Sequence, residues 1–399
     1  SLKNGNVLNV FTEEVLKADV AICGDTIVGV GEYEGKEEID CTGKYLVPGF
    51  IDAHMHIESC MAAPGELAKV LAKAGTTTII ADPHEIVNVS GTKGMDYFLK
   101  CAAKLLVNVF FMVPSAVPAT DVETNGCGEF LASDMMKYVD NARVLGLGET
   151  MRFMECCEGE KRMADKLELF AKKHIDGHAP GIRGKEVQAY RLAGVENDHE
   201  CSTAEEVLDK LRAGLHIYVR EGSGAKNLET LIKTMLDAGV CLDRCAFCTD
   251  DKHVEEIRKE GHISTCIRKA IALGVPVAKA YKMGSYQAAE FYGLKNYGAI
   301  GAGYRADIVF LDDLEQVRPL DVMKDGRILT EEDYAKDYSV PVPDELLHTV
   351  HVGEVTKEKI RLSCDGKTDV IQMNPHQIVT THLMEEVPTE NGYFKSDGV

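Results

Sequence analysis

From Gly49 onward the chain repeats one rhythm, a short apolar or β-branched run followed by a longer stretch whose apolar positions recur at helical spacing. The strands predicted by this pattern are 49–53, 76–81, 107–113, 144–147, 175–178, 195–198, 216–220 and 245–249. Helices are predicted over 64–74, 92–105, 129–141, 161–173, 184–193, 203–213 and 227–238. Repeated β-then-α alternation implies parallel strands joined by crossover helices, and eight strands close most economically into a (β/α)8 barrel of the TIM type. An open doubly wound sheet is the competing α/β architecture, but no Gly-x-Gly-x-x-Gly opens a helix after the first strand.

The first 48 residues read differently. Short β-prone runs at 6–11, 18–23, 26–30, 38–40 and 44–46 are separated by turns, which predicts a small sheet without crossover helices. After the barrel, the glycine-rich 298–303 leads into another strand-like run at 306–311. Further β-prone runs follow at 350–355 and 359–363.

Composition narrows the classes. With 399 residues and 45% hydrophobic content the chain can bury a large core. A formal charge of -20 and a pI near 5.1 disfavour binding to nucleic-acid phosphates. No apolar run reaches membrane-span length and no signal-peptide core is visible, so cytoplasm is the expected location, with neither membrane nor nucleic acid as partner. Thirteen cysteines, an odd number with Cys156 and Cys157 adjacent, read as reduced thiols. Cys241, Cys245 and Cys248 lack the fourth ligand that a structural zinc requires.

Candidate chemistry gathers where barrel strands end. The first strand finishes in His54 and His56, two residues apart and so able to leave one face together. Later strands end in Asp82-Pro83-His84-Glu85, Glu149, Asp176-Gly177-His178, Asp198-His199-Glu200, Arg220-Glu221-Gly222-Ser223 and Thr249-Asp250-Asp251. Any one of these could simply cap a turn or the next helix. A barrel brings them to one rim, where His54, His56, Glu149, His178, His199 and Asp250 can hold two divalent ions, with Glu149 bridging. Such ions lower the pKa of a shared water. Asp250 is placed to ligate and to accept the water's proton, with Asp251 as the alternative.

These blocks carry a resemblance. Residues 47–59, Thr76-Thr77-Thr78, 81–86, 176–181, 198–200, 220–223 and 249–251, in that order, resemble the bacterial adenine deaminases of the amidohydrolase superfamily, and the likeness runs through essentially the whole chain. It implies a (β/α)8 barrel with a small β-sandwich built from residues 1–48 and 297–340, the barrel occupying 49–296 and residues 341–399 beginning a further, apparently incomplete C-terminal domain. It also implies hydrolysis of adenine to hypoxanthine and ammonia at a pair of divalent metal ions, manganese or iron with zinc as an alternative. Glu149 stands where the superfamily usually has a carbamylated lysine. Glu200, Asp82 and Glu85 are candidates for moving protons, and Asp250 or Asp251 for activating water. His84, Arg220, Glu221 and Ser223 are candidates for contacting the purine. A homo-oligomer, a dimer by resemblance, is expected. The competing readings are a related hydrolase acting on a cyclic amide or another aminated heterocycle, and a catalytically silent barrel serving in an assembly.

Overall fold

The computed structural model describes residues 1–364 and 366–396; Asp365 and residues 397–399 of the C-terminal segment lie outside the described residues. Eight parallel strands form the barrel: β6 (Phe50–Met55), β7 (Thr76–Ala81), β8 (Asn108–Val113), β9 (Val144–Leu147), β10 (His174–Ile175), β11 (Asn197–Asp198), β12 (His216–Arg220) and β13 (Cys245–Cys248). They follow strands β1 (Leu2–Asn9), β2 (Glu14–Cys23), β3 (Thr26–Gly31), β4 (Ile39–Asp40) and β5 (Tyr45–Pro48). Every residue of β6, β7 and β13 is buried, as expected of strands covered on both faces.

Alternation along the strands divides the core. Ile51, Ala53, Ile80, Met112, Tyr218, Ala246 and Cys248 pack together inside the barrel over Tyr292. The alternate residues Ile79, Val109, Phe111, Ile217, Val219 and Phe247 face the helices in two outer clusters. Strict alternation would turn His54 away from Ala53's face, but the β6–β7 register shifts between Asp52 and Met55. An irregularity of this kind re-aims side chains at a strand end, and here it delivers both histidines to the rim.

The regular ladders form two arcs, β6 to β10 and β11 to β13, so the barrel closes at two seams. At the first, Met55 bridges Asp250, and Asp52 Oδ1 accepts the Thr249 N–H at 3.2 Å while its Oδ2 accepts the Thr249 hydroxyl at 2.6 Å. At the second, Asn197 Oδ1 accepts the Gly177 N–H at 3.0 Å and Asp198 Oδ2 accepts the Ala179 N–H at 2.9 Å. Side chains thus satisfy backbone donors that a regular ladder would otherwise pair.

Beside the barrel, β5 joins β1 on one edge and β14 (Ile308–Leu311) on the other, with β15 (Asp321–Lys324) and β16 (Arg327–Ile328) continuing outward. This sheet of eight strands curls until Thr26 bridges Arg305, giving a sandwich-like core around Val7, Val20, Ile27, Leu46, Ile308 and Phe310. Its strands come from both ends of the segment that surrounds the barrel, and β5 leads directly into β6.

Two expectations fail locally. The predicted helix over 129–141 is only Ala132–Met135 and a single 3-10 turn, Met136–Tyr138, because Asn141 draws the chain into a turn through its side chain, which accepts the Arg143 N–H at 2.9 Å. The run 350–355 forms no strand and 359–363 overlaps the one-turn helix Lys357–Ile360; Val350, Val352, Val355 and Leu362 are exposed, so these β-prone residues have no sheet to bury them. All thirteen cysteines are free, and among the described residues no helix is long and apolar enough to cross a membrane.

The second seam depends on a buried ion pair. Lys210 is fully buried on helix Ala204–Arg212, and its Nζ donates to Asp198 Oδ1 at 2.9 Å and to the Ala179 carbonyl at 2.7 Å. Lys210→Met leaves the Asp198 charge unpaired, and urea denaturation is expected to show a loss of about 3–5 kcal/mol; an unchanged midpoint would refute the pairing's role. A second prediction concerns His216, which packs 4.5 Å from the Phe291 ring centroid and whose pKa is pushed down to about 4 by burial and then by Arg244. Its lowered folded pKa makes the neutral form the stable one, so its contribution is full above pH 6.5 and is lost as pH falls toward 4. His216→Phe should flatten the acid limb of a Tm-against-pH profile over that window, and an unaltered limb would exclude this assignment.

Candidate active site

The rim at the C-terminal ends of the strands gathers five histidines and several carboxylates around one buried group, Glu149. It follows β9, is 2% exposed, and its N–H donates to Asp82 Oδ2 at 2.8 Å. Its Oε1 lies 2.9 Å from His84 Nδ1 and 3.2 Å from His56 Nε2; its Oε2 lies 2.5 Å from His178 Nδ1 and 3.3 Å from His199 Nε2. Burial alone would raise this carboxyl's pKa, but the imidazoles, His178 foremost, overcome it and hold the group well below the usual range.

Asp250 forms the other focus. Its Oδ1 lies 3.0 Å from His56 Nε2 and 3.7 Å from His54 Nε2, and its Oδ2 accepts from Arg220 Nη1 at 2.7 Å. The residue has φ of +56°, a left-handed conformation uncommon for aspartate, immediately where β13 ends. Against the cost of burial, the imidazoles of His54 and His56 beside it, together with Arg220, keep its carboxyl well below the normal pKa. Arg220, itself 1% exposed, also donates to Glu200 Oε1, so one guanidinium neutralises two acids.

The donor set fits divalent cations better than it fits itself. His54 Nε2 and His56 Nε2 face each other at 3.2 Å, and only one such atom can carry a bridging proton. Buried atoms without a hydrogen-bond partner among the described residues include His54 Nδ1, both nitrogens of His199, Glu149 Oε1, Asp82 Oδ1 and Glu200 Oε2. So many orphaned acceptors and imidazoles in one place are costly unless something else binds them. The ligand atoms of His54, His56 and Asp250 lie within 4.8 Å of one another, as do those of His54, Glu149 and His199, and those of His178, His199 and Glu200.

The structure brings together His54, His56, Glu149, His178, His199 and Asp250, and sets His84, Asp82, Glu85, Glu200 and Arg220 around them. It does not bring three other candidates into the cluster. Glu221 turns outward to Lys269, with Nζ and Oε1 2.6 Å apart. Ser223 Oγ accepts the His253 N–H at 2.9 Å, and Asp251 is exposed, its carbonyl accepting from the Ser223 N–H at 2.7 Å. After β12, Arg220 points into the cluster while Glu221 pairs with Lys269; after β13, Asp250 enters the cluster and Asp251 lies beside it at the mouth.

Sequence reading missed several supports. His262 is fully buried; its Nε2 is 3.1 Å from Asp52 Oδ2 and its Nδ1 3.0 Å from Thr76 Oγ1, bracing the strand that carries His54. Asn227, also fully buried, accepts from Arg220 Nη2 at 3.0 Å. Neither has a local signal, since each acts through a partner distant in sequence. The one available hint was Asp52 itself, a charge within an otherwise apolar strand.

The sequence model of the Amidohydrolase family matches residues 45–329. An adenine deaminase of Desulfitobacterium hafniense is 45% identical over 394 residues, covering 98% of this chain and 69% of that protein. One from Clostridium acetobutylicum is 43% identical, covering 99% and 70%. Among solved structures, a beta-aspartyl dipeptidase from Fervidobacterium islandicum in complex with a beta-Asp-Leu dipeptide superposes with a TM-score of 0.61 at 19% identity, covering 83% of this chain and 96% of that one, a likeness of fold. The rim of histidines and acids described above therefore sits in a metal-dependent hydrolase scaffold: the chain belongs to the amidohydrolase family, among its adenine deaminases.

Proposed function

We infer that this protein hydrolyses adenine to hypoxanthine and ammonia, with two divalent cations held by His54, His56, Glu149, His178, His199 and Asp250. The observation that carries the reading is Glu149, a buried carboxylate whose two oxygens each face two imidazoles. Nitrogen and oxygen donors without a thiolate favour manganese or iron over softer metals, with zinc compatible with the same set. When bound, the ions supply Lewis acidity that brings a water in the pocket toward neutral pKa.

The chain's own residues account for the remaining steps. Water adds to C6 of the purine as its proton passes to Asp250, whose carboxylate the Arg220 guanidinium keeps ionised and oriented. Glu200 presents a buried Oε2 with no protein partner, which suits delivery of a proton to ring N1 as the C6–O bond forms. The proton held by Asp250 then moves to the exocyclic nitrogen, the C6–N6 bond breaks and ammonia leaves, and the C6 hydroxyl returns its proton to Glu200 as the hypoxanthine carbonyl forms. Asp82 orients Glu149 through its N–H, and His84 and Glu85 line the side of the cluster from which a purine edge can be reached. Glu221, Ser223 and Asp251, lying outside the cluster, have no direct step in this scheme.

The same reading carries the division into 1–48 with 297–340, 49–296, and a further C-terminal unit from 341, together with a cytoplasmic homodimer that engages neither nucleic acid nor membrane. Ammonia release from adenine, measured beside a panel of cyclic amides and other aminated heterocycles, is expected to single out adenine. No ammonia from adenine would reject the reaction. Glu149→Gln should lose about three orders of magnitude in kcat/KM, an effect of the size expected when a preorganised charged group is removed, and elemental analysis should find its two-metal content abolished. Unchanged metal content in that variant would contradict the role given to Glu149. Chelation should lower Tm as well as activity, since a cation bound only by the folded state stabilises it.

A further inference from the structure

Two antiparallel strands near the C-terminus, β17 (Lys367–Gln372) and β18 (Thr381–Glu386), carry a loop that reaches the barrel mouth. A cavity of about 420 Å³ lies there, with Arg220, Asp250 and Asp251 on the barrel side and Met373, His376 and Gln377 on the loop side. That volume falls within the range of small-molecule sites. The loop is internally braced: Asn374 Nδ2 donates to the Val379 carbonyl at 2.8 Å, and the Gln377 N–H donates to the Asn374 carbonyl at 3.2 Å.

Two bonds fasten it to the barrel. The Lys226 N–H donates to the His376 carbonyl at 3.1 Å, and Asn227 Nδ2 donates to Gln377 Oε1 at 3.0 Å. Asn227 is fully buried, and its Oδ1 accepts from Arg220 Nη2 at 3.0 Å. Arg220 in turn donates through Nη1 to Asp250 and Glu200. A continuous path of hydrogen bonds therefore runs from a loop some 150 residues away in sequence to the two acids at the centre of the chemistry.

We propose that the 373–378 loop is the outer wall of the adenine pocket and that Gln377 is a positioning residue, fixing Arg220 through Asn227. This rests on the adenine reading above. The physical reason lies in the Asn227 amide. Its oxygen must face Arg220, and Gln377 Oε1 is the acceptor that its nitrogen finds on the other side. Without that acceptor the buried amide nitrogen is unpaired, and the amide loses the bond that fixes which end meets the guanidinium. Arg220 would then lose the fixed partner at Nη2 that orients it, keeping only the Nη1 bonds to Asp250 and Glu200, and the wall would lose its inner attachment.

The chain has no tryptophan, so Ile378→Trp, at a position lining the cavity, supplies a single emission reporter. In the metal-loaded full chain carrying this reporter, adenine is expected to change the emission saturably. Adding Gln377→Leu should raise both the adenine Kd from that titration and KM by about tenfold, the loss of one hydrogen bond to a buried partner, while metal content stays that of the parent and Tm falls by no more than about a few degrees. Gln377→Glu keeps an acceptor for Asn227 Nδ2 and should remain within about threefold of the parent. Equal binding in Gln377→Leu and parent overturns the proposal, as does an equal loss in Gln377→Glu and Gln377→Leu. An enzyme that turns adenine over without any change in emission also overturns it. A saturable change with no ammonia released supports the wall and counts against the reaction alone.

Discussion

A barrel of parallel strands has to close, and in this protein closure at both seams depends on buried side chains that accept hydrogen bonds from the opposite strand's backbone. Asp52 takes the Thr249 N–H at one seam; Asn197 and Asp198 take Gly177 and Ala179 at the other. Each of these residues lies within two positions of a member of the cluster: Asp52 of His54, Thr249 of Asp250, Gly177 and Ala179 of His178, and Asn197 and Asp198 of His199. Closing the barrel and aiming the histidines are the same event. Buried carboxylates are tolerated there because each is compensated, Asp198 by Lys210 and Asp52 by Thr249 with His262.

The rim shows the opposite condition. Imidazoles and carboxylates crowd to hydrogen-bonding distance, yet several of their atoms find no partner among the described residues. Structural polar networks satisfy their members, and a network left open at its centre marks a place where a ligand completes it. Charge supports the same view. Glu149 and Asp250 stay ionised although burial opposes it, because imidazoles and Arg220 surround them. Ionised carboxylates beside convergent histidines are the donors that a hydrolytic metal centre uses.

Much of this was legible in the sequence, for physical reasons. Fully covered strands are apolar or β-branched along their whole length, so 76–81 and 245–248 stand out by composition, and charged residues ending such runs are displayed at one rim once the barrel closes. The helix His84–Ser90 was invisible because the Asp82-Pro83 dipeptide reads as a turn and the segment is short. The roles of Glu221 and Asp251 could not be separated from those of Arg220 and Asp250, since the direction of a side chain past a strand end depends on local dihedrals, here the positive φ of Asp250. His262 and Asn227 lay beyond reach because their partners are set by tertiary packing. The C-terminal hairpin was equally hidden: its strands lie mostly exposed, and apolar periodicity carries little information where nothing is buried.

On the proposed function, six side chains spread from His54 to Asp250 share two cations at one rim of the barrel. Anomalous diffraction from crystals of the metal-loaded protein, collected at the absorption edge of the bound element, tests it most directly. Two peaks about 3.5–4 Å apart, as in other binuclear hydrolytic centres, with one Glu149 oxygen directed at each, are the expected result. A single peak, or peaks away from Glu149, would contradict the account.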